Sequence, residues 1–189
     1  MHEIGYVIWG SWAAWGLVWV VTWRWSATNA AQQPPVARVA HLAIVMLGSA
    51  ACIATPDPNG TFGRPLYPMT FALLVAAATT IVAGHAFTIW ARMTLGRNWS
   101  AGVNLKEGHE IVERGPYQFV RHPIYTGLLV ALLGTTVARD TLLAYLGFLL
   151  SAVGLVLKFK QEEKLLTGHF GPAYAEYAGR VKGLIPFVW

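Results

Sequence analysis

The stretch HPIYTGLLVALLGTTVA-RD-TLLAYLGFLLSAVGLVL, His122 to Leu157, holds two runs of 17 residues without Asp, Glu, Lys or Arg, parted only by Arg139-Asp140. Each run makes about 25 Å of helix at ~1.5 Å per residue, just enough to cross a bilayer. The pair predicts a helical hairpin. Three further uncharged runs precede it, at Ile4–Trp23, Val39–Pro56 and Pro65–Ala91. The fold class expected is therefore all-α and integral to a membrane. Five transmembrane helices end in the hairpin, joined to a cytoplasmic connector and an amphipathic C-terminal tail.

Composition agrees. The 189 residues are 55% hydrophobic and 12% charged, with mean hydropathy +0.45. Soluble domains carry about 25% charged residues. The net charge of +5 does not point to nucleic acid, because the basic residues flank apolar runs instead of forming a stripe. Cys52 is the only cysteine, which excludes an internal disulfide or a cysteine metal cluster. No metal signature is present, nor a phosphate-cradling glycine loop, a dinucleotide fingerprint or a nucleophile-elbow serine.

One domain is expected, with three N-terminal helices in residues 1–91 and the chemistry in residues 92–189. Pro65 and Pro68 suit the start of the third helix. The connector Arg92–Arg121 is long for a compact helical protein, and such connectors tend to be functional. Trp9, Trp12, Trp15, Trp19 and Trp23 recur every three or four residues. They predict one helix face, which either packs and anchors at the interface or lines a lipophilic site. His85 sits deep in the third run. It either bonds a neighbouring helix or faces a pocket.

Five crossings place Arg24, Arg38, Arg92, Arg97, Lys106, Arg114, Arg121, Lys158, Lys160, Lys164, Arg180 and Lys182 on one side, against Arg64 and Arg139 on the other. That bias sets the first side in the cytoplasm. The segment Gly115-Pro116-Tyr117 through Arg121-His122-Pro123-Ile124-Tyr125-Thr126-Gly127, the pair Glu162-Glu163 and the tail then meet at one face. Pro123 should open the fourth helix, whose free amides would attract an anion, aided by Arg121 and His122. The alternative is an interfacial anchor. Glu162 and Glu163 point about 100° apart on a helix. One could face a pocket and bind a ribose diol or take a proton. The other could pair with Lys158. Gly168 or Gly171-Pro172 should stop the last long helix.

Leu95-Gly96-Arg97-Asn98-Trp99-Ser100, His109, Gly115-Pro116-Tyr117, Arg121-His122-Pro123-x-Tyr125-x-Gly127, Glu162-Glu163 and Phe170-Gly171-x-x-Tyr174-x-x-Tyr177 occur in that order. This set resembles the isoprenylcysteine carboxyl methyltransferase family, in its short prokaryote-like form, a group related to phospholipid N-methyltransferases. The resemblance implies a five-helix membrane enzyme that uses S-adenosylmethionine. Its acceptor would be a lipophilic small molecule or lipid-modified substrate reached from the bilayer. It implies cofactor contacts at His109, Tyr117, Arg121, His122, Pro123, Tyr125, Gly127 and Glu163. It gives catalytic roles to Glu162, Glu163 and Arg180, with the tail closing the pocket. It implies a bacterial or archaeal cell membrane, with neither metal nor nucleic acid as partner. The acceptor could be an isoprenylcysteine-type carboxylate or another lipophilic thiol, amine or phenol. Gly84-His85-Ala86 stands where phospholipid methyltransferases carry Gly-x-Gly, which weighs against a phospholipid amine. Two rival readings are an NADPH-dependent membrane reductase of the sterol-reductase type and a non-catalytic lipid-binding scaffold. Ile124 and Leu128 depart from the reductase pattern.

Overall fold

The computed structural model describes residues 2–25, 29–32, 35–99, 104–106 and 110–188. Its helices are α1 (His2–Thr22), α2 (Pro35–Ile53), α3 (Phe71–Leu95), α4 (Pro123–Arg139), α5 (Leu142–Phe170) and α6 (Pro172–Arg180). Two short strands, β1 (Asn29–Gln32) and β2 (Asn104–Lys106), pair antiparallel between the first loop and the connector. The all-α reading did not anticipate them. Among the described residues, two helical stretches, Phe71–Asn98 and Leu142–Phe170, are long and apolar enough to cross a membrane, and Ala40–Ile53 and Pro123–Arg139 are shorter apolar helices.

The hairpin forms as expected. Pro123 opens α4, and its missing amide costs nothing at that position. Asp140 takes a left-handed conformation (φ 49°), and Thr141 Oγ1 accepts from the Ala144 amide at 3.2 Å, so the chain reverses within two residues. α5 runs unbroken to Phe170, where Gly171 (φ 55°) ends it. Its 29 residues make about 43 Å of helix. That is longer than an apolar bilayer core of about 30 Å.

The third helix departs from expectation. It begins at Phe71, with Thr70 as its cap, and not at Pro65. Pro68 favours extended backbone at Tyr67, and the segment is tied to the hairpin turn instead. Pro65 bridges Thr141. The Tyr67 amide donates to the Asp140 carboxylate (3.2 Å), and its hydroxyl donates to the Val137 carbonyl (2.9 Å). At its other end α3 continues through Arg92, which is buried and not part of a polar connector. The Arg92 guanidinium donates to the carbonyls of Thr22 and Gly96 and lies over the Trp99 ring at 4.5 Å.

Close backbone approach sets the packing. α3 crosses α4 where Gly84 faces Gly127. A Cβ at Gly127 would stand 2.7 Å from the Gly84 carbonyl oxygen. α2 meets α5 the same way, with a Cβ at Gly147 falling 2.6 Å from the Gly48 oxygen. Small residues at such crossings let membrane helices associate through backbone contact. α1 lies against α3 through Ile8 and Trp12 on Ala78 and Ile81. Trp12 Nε1 donates to Thr135 (3.0 Å) and Trp15 Nε1 to Thr88 (2.7 Å). Cys52 is buried beside Thr136 and the Ala144 carbonyl, a packed small side chain.

Candidate active site

The site begins at a turn. Gly115, at φ 59°, admits the 3₁₀ turn Gly115–Gln118, with Pro116 in its second position. The chain leaving that turn is stitched to the tail. Val120 bridges Lys182, the Arg121 amide donates to the Lys182 carbonyl (2.8 Å), and the His122 amide donates to that of Gly183 (3.0 Å). Thr126 Oγ1 donates to the Leu184 carbonyl at 2.6 Å. The Tyr125 and Thr126 amides donate to the His122 carbonyl. The amides of Arg121, His122, Tyr125 and Thr126 thus serve the tail and the first turn of α4.

The motif's side chains converge on the glutamate pair. Arg121 grips Glu163 through two parallel bonds, Nε–Oε1 at 3.0 Å and Nη2–Oε2 at 2.6 Å. Its Nη1 donates to the carbonyls of Ala178 and Val181. His122 Nε2 meets Glu163 Oε1 at 2.7 Å, and Tyr174 on α6 donates to the same oxygen at 2.6 Å. Burial would push the Glu163 carboxyl up, but His122, Arg121 and Tyr174 hold it down, to about 2. Burial and the Glu163 charge push the Tyr174 hydroxyl well above its ordinary range. Bidentate Arg–carboxylate pairs of this kind fix geometry as well as charge.

Glu162 faces elsewhere. Tyr125 donates its hydroxyl to Oε1 (2.6 Å), His122 Nδ1 stands 3.3 Å from Oε2, and Lys158 Nζ lies 4.0 Å from Oε1. The His122 ring is stacked with Tyr125 and lies edge-on to Phe159, so both imidazole nitrogens are aimed at the two carboxylates.

Glu162 lines a cavity of about 400 Å³, and Glu163 is not among its lining residues. Its polar lining is His41, Asn98, Tyr117, Arg121, His122, Tyr125, Lys158 and Glu162. The rest is apolar and aromatic: Trp15 and Trp19 from α1, Trp23 just after it, Leu42, Val45 and Met46 from α2, Leu95 from α3, Ile124 and Leu128 from α4, Leu155, Leu165 and Leu166 from α5, and Trp99. Its volume lies in the range of small-molecule sites.

The structure thus sorts the sequence candidates. Tyr117, Arg121, His122, Tyr125 and Glu162 line the cavity. Pro123 is buried at the head of α4, Gly127 lies in the α3–α4 crossing, and Glu163 locks Arg121 to His122. Arg180 is 59% exposed at its side chain and pairs with Glu113 at 2.8 Å, which pins α6 to the connector. His109 lies outside the described residues. The tryptophan face divides. Trp12 packs, Trp15, Trp19 and Trp23 line the cavity, and Trp9 is 44% exposed. His85 takes neither of its expected roles. Its ring packs against Trp12 and Trp15, with neither nitrogen hydrogen-bonded, and it is not among the cavity-lining residues. His41 and Lys158 were missed as lining residues. The signal for His41 was an ionisable group within the second uncharged run. For Lys158 it was spacing, one turn before Glu162.

Among the described residues no group of His, Cys, Asp and Glu is arranged to hold a metal ion. Residues 75–168 match the model of the isoprenylcysteine carboxyl methyltransferase family. A relative in Arabidopsis thaliana, protein-S-isoprenylcysteine O-methyltransferase B, is 33% identical over 113 residues, covering 58% of this chain and 57% of its own length. The human protein-S-isoprenylcysteine O-methyltransferase is 29% identical over 119 residues, covering 61% of this chain and 42% of its own. A relative in Cupriavidus metallidurans, the cobalt-zinc-cadmium resistance protein CzcN, is 32% identical over 96 residues, covering 49% and 44%. The matched part of the chain spans about half the length of these relatives.

Proposed function

Through residues 75–168 this chain belongs to the isoprenylcysteine carboxyl methyltransferase family, and from that premise we propose that it is an integral-membrane methyltransferase. It moves a methyl group from S-adenosylmethionine to a lipophilic acceptor, with an isoprenylcysteine-type carboxylate as the leading candidate. The observation that carries this reading is one cavity with two characters. Its lining combines a carboxylate, an imidazole and tyrosines with indoles and aliphatic side chains.

The lining suits the donor. A sulfonium is a soft cation, and aromatic faces such as those of Trp19, Trp99, Tyr117 and Tyr125 attract cations. A carboxylate such as Glu162 suits an ammonium group or a ribose diol. S-Adenosylmethionine would supply a methyl carbon already activated by its sulfonium, so the protein's task is alignment and exclusion of water. Tyr117, His122, Tyr125 and Glu162 are assigned to direct contact. Arg121, Pro123, Gly127 and Glu163 frame them, and Arg180 latches α6 through Glu113. His109, on the connector, is assigned to the same pocket.

The membrane reading extends to five crossings by α1–α5, with α6 and the tail lying over the site at the cytoplasmic face of a bacterial or archaeal membrane. The part of α5 beyond Leu157 supports this placement, because it carries Lys158, Glu162 and Glu163 clear of the apolar core.

The test is transfer. Purified protein in liposomes is incubated with methyl-labelled S-adenosylmethionine and N-acetyl-S-farnesylcysteine. The expected product carries label that mild base releases, the mark of a methyl ester. Folded protein that transfers no label, or transfers it to a base-stable position, contradicts the carboxylate acceptor.

A further inference from the structure

We propose that the turn Ile185-Pro186-Phe187-Val188 seats in the interfacial zone of the bilayer, and that this seat holds in place the strap of backbone that orients Arg121 and His122. The partner is the lipid surface itself. The proposal rests on the membrane reading of α4 and α5, and not on the chemistry proposed for the cavity.

Three side chains of this turn are left open. Ile185 is 50%, Phe187 89% and Val188 71% exposed. The Val188 amide donates to the Ile185 carbonyl at 3.1 Å, so they stand together on a closed turn. An apolar group of this kind is disfavoured in water and favoured at the boundary of headgroups and acyl chains. The residue before the turn fixes its level. Leu184 is buried and packs with Tyr125, Leu155 and Phe159, beside the partly buried Leu128 and Val156. Those partners lie in the first two turns of α4 and where the uncharged run of α5 ends at Leu157. Val153 and Leu157 of α5 present exposed apolar side chains, so the turn stands at the level where the lipid-facing surface begins. α6 behaves oppositely. Its exposed residues are Pro172, Ala173, Ala175, Glu176, Gly179 and Arg180, small or polar, a face suited to water. Lys182, between α6 and the turn, is also exposed, and a lysine there suits anionic headgroups.

What the seat holds is the strap that precedes it. The carbonyls of Ala178 and Val181 accept from Arg121 Nη1. Those of Lys182 and Gly183 accept from the Arg121 and His122 amides, and that of Leu184 accepts from Thr126 Oγ1. Arg121 and His122 both line the cavity, so the strap sets the frame in which two cavity residues are held. Phe187 follows Leu184 by three residues. A charge placed at Phe187 would draw the turn out of the lipid and load the strap at its Leu184 end. Phe187 is thus a positioning residue that acts through backbone.

The experiment uses the full chain in liposomes of phosphatidylcholine and phosphatidylglycerol. Cys52 is the only cysteine and is buried, so a Cys52→Ser background allows labelling at one site. Phe187→Cys carries an environment-sensitive fluorophore, with Glu176→Cys on α6 as the water-facing control and Val153→Cys on α5 as the lipid-facing one. At position 187 the expected result is emission shifted to the blue, quenching by nitroxide on the acyl chains and loss of most quenching by iodide. Iodide that reaches 187 as freely as 176 overturns the proposal. So does a label shielded from both quenchers, which would mean that protein, a second copy included, covers the turn. Iodide that reaches 153 as well would bring down the membrane reading itself. Amide hydrogen exchange, without the label, reads the strap. Phe187→Asp should speed exchange of the Arg121 and His122 amides by about tenfold, the scale of one phenylalanine side chain kept from water. The Tyr67 amide at the hairpin turn should keep its rate, and Phe187→Leu should exchange as wild type. Unchanged exchange at Arg121 and His122 in Phe187→Asp overturns the strap's dependence on the seat, and equal acceleration at Tyr67 would mark general loosening and overturn it too.

Discussion

The two ends of the α4–α5 hairpin both bury polar side chains, yet they are built differently. At the turn, Asp140 accepts from the Tyr67 amide, Tyr67 donates to the Val137 carbonyl, and Arg139 donates to the Ala54 carbonyl. Those side chains mostly satisfy backbone, and they close a loop. At the opposite end, Arg121, His122, Tyr125, Tyr174, Glu162 and Glu163 satisfy one another, and Arg121, His122, Tyr125 and Glu162 border a cavity. Backbone-directed polar groups hold chain segments together, whereas side-chain networks beside an open volume leave groups positioned for a ligand. Burial and hydrogen bonding alone would not tell the two ends apart.

The sharpest break in that comparison is Glu163→Gln. It leaves Arg121 with a buried charge and loosens the tail, and removing one partner of a buried pair costs on the order of 3 kcal/mol. Thermal unfolding in detergent should show it plainly. Glu162→Gln should unfold near the wild-type temperature but bind S-adenosylhomocysteine at least about tenfold more weakly, as befits a lost hydrogen bond to a charged group. Equal behaviour of the two variants would erase the division between lock and lining. Next comes Gly127→Val. Its Cβ would meet the Gly84 oxygen and Thr88 Cγ2 at 2.7 Å, so α3 and α4 must separate, costing about 2 kcal/mol. Asp140→Ala, at the closed end, should cost about 1 kcal/mol for the lost bond to Tyr67. Its methyl transfer per folded molecule should match the wild type, and a selective loss of transfer would join the two ends functionally. The smallest effect belongs to Arg180→Ala. An exposed ion pair is worth under about 1 kcal/mol, so unfolding should barely move. A collapse of activity would make the α6 latch far more than a surface contact.

Much of this was legible in the sequence because membrane spans are long and uncharged. The hairpin, its Pro123 start and its Gly171 stop follow from local rules that tertiary contacts did not override. The start of α3 was not legible. Prolines suit a helix's first turn, but here Pro65 and Tyr67 were captured by the hairpin turn about 70 residues away in sequence. The β1–β2 pairing was hidden for the same reason, since it joins segments distant in the chain. At the site, the sequence named Glu162 and Glu163 but could not say which faced the cavity, because that depends on where α6 delivers Tyr174. Arg92 read as a connector charge and is instead buried beneath Trp99.

The central claim is that the cavity bordered by His122, Tyr125 and Glu162 binds the methyl donor. Its most direct test is calorimetric titration of the purified full-length protein, in detergent and again in liposomes, with S-adenosylhomocysteine and with NADPH. The account predicts saturable binding of S-adenosylhomocysteine and none of NADPH. Binding of NADPH alone would contradict it in favour of a reductase, and binding of neither by folded protein would leave a lipid-binding scaffold.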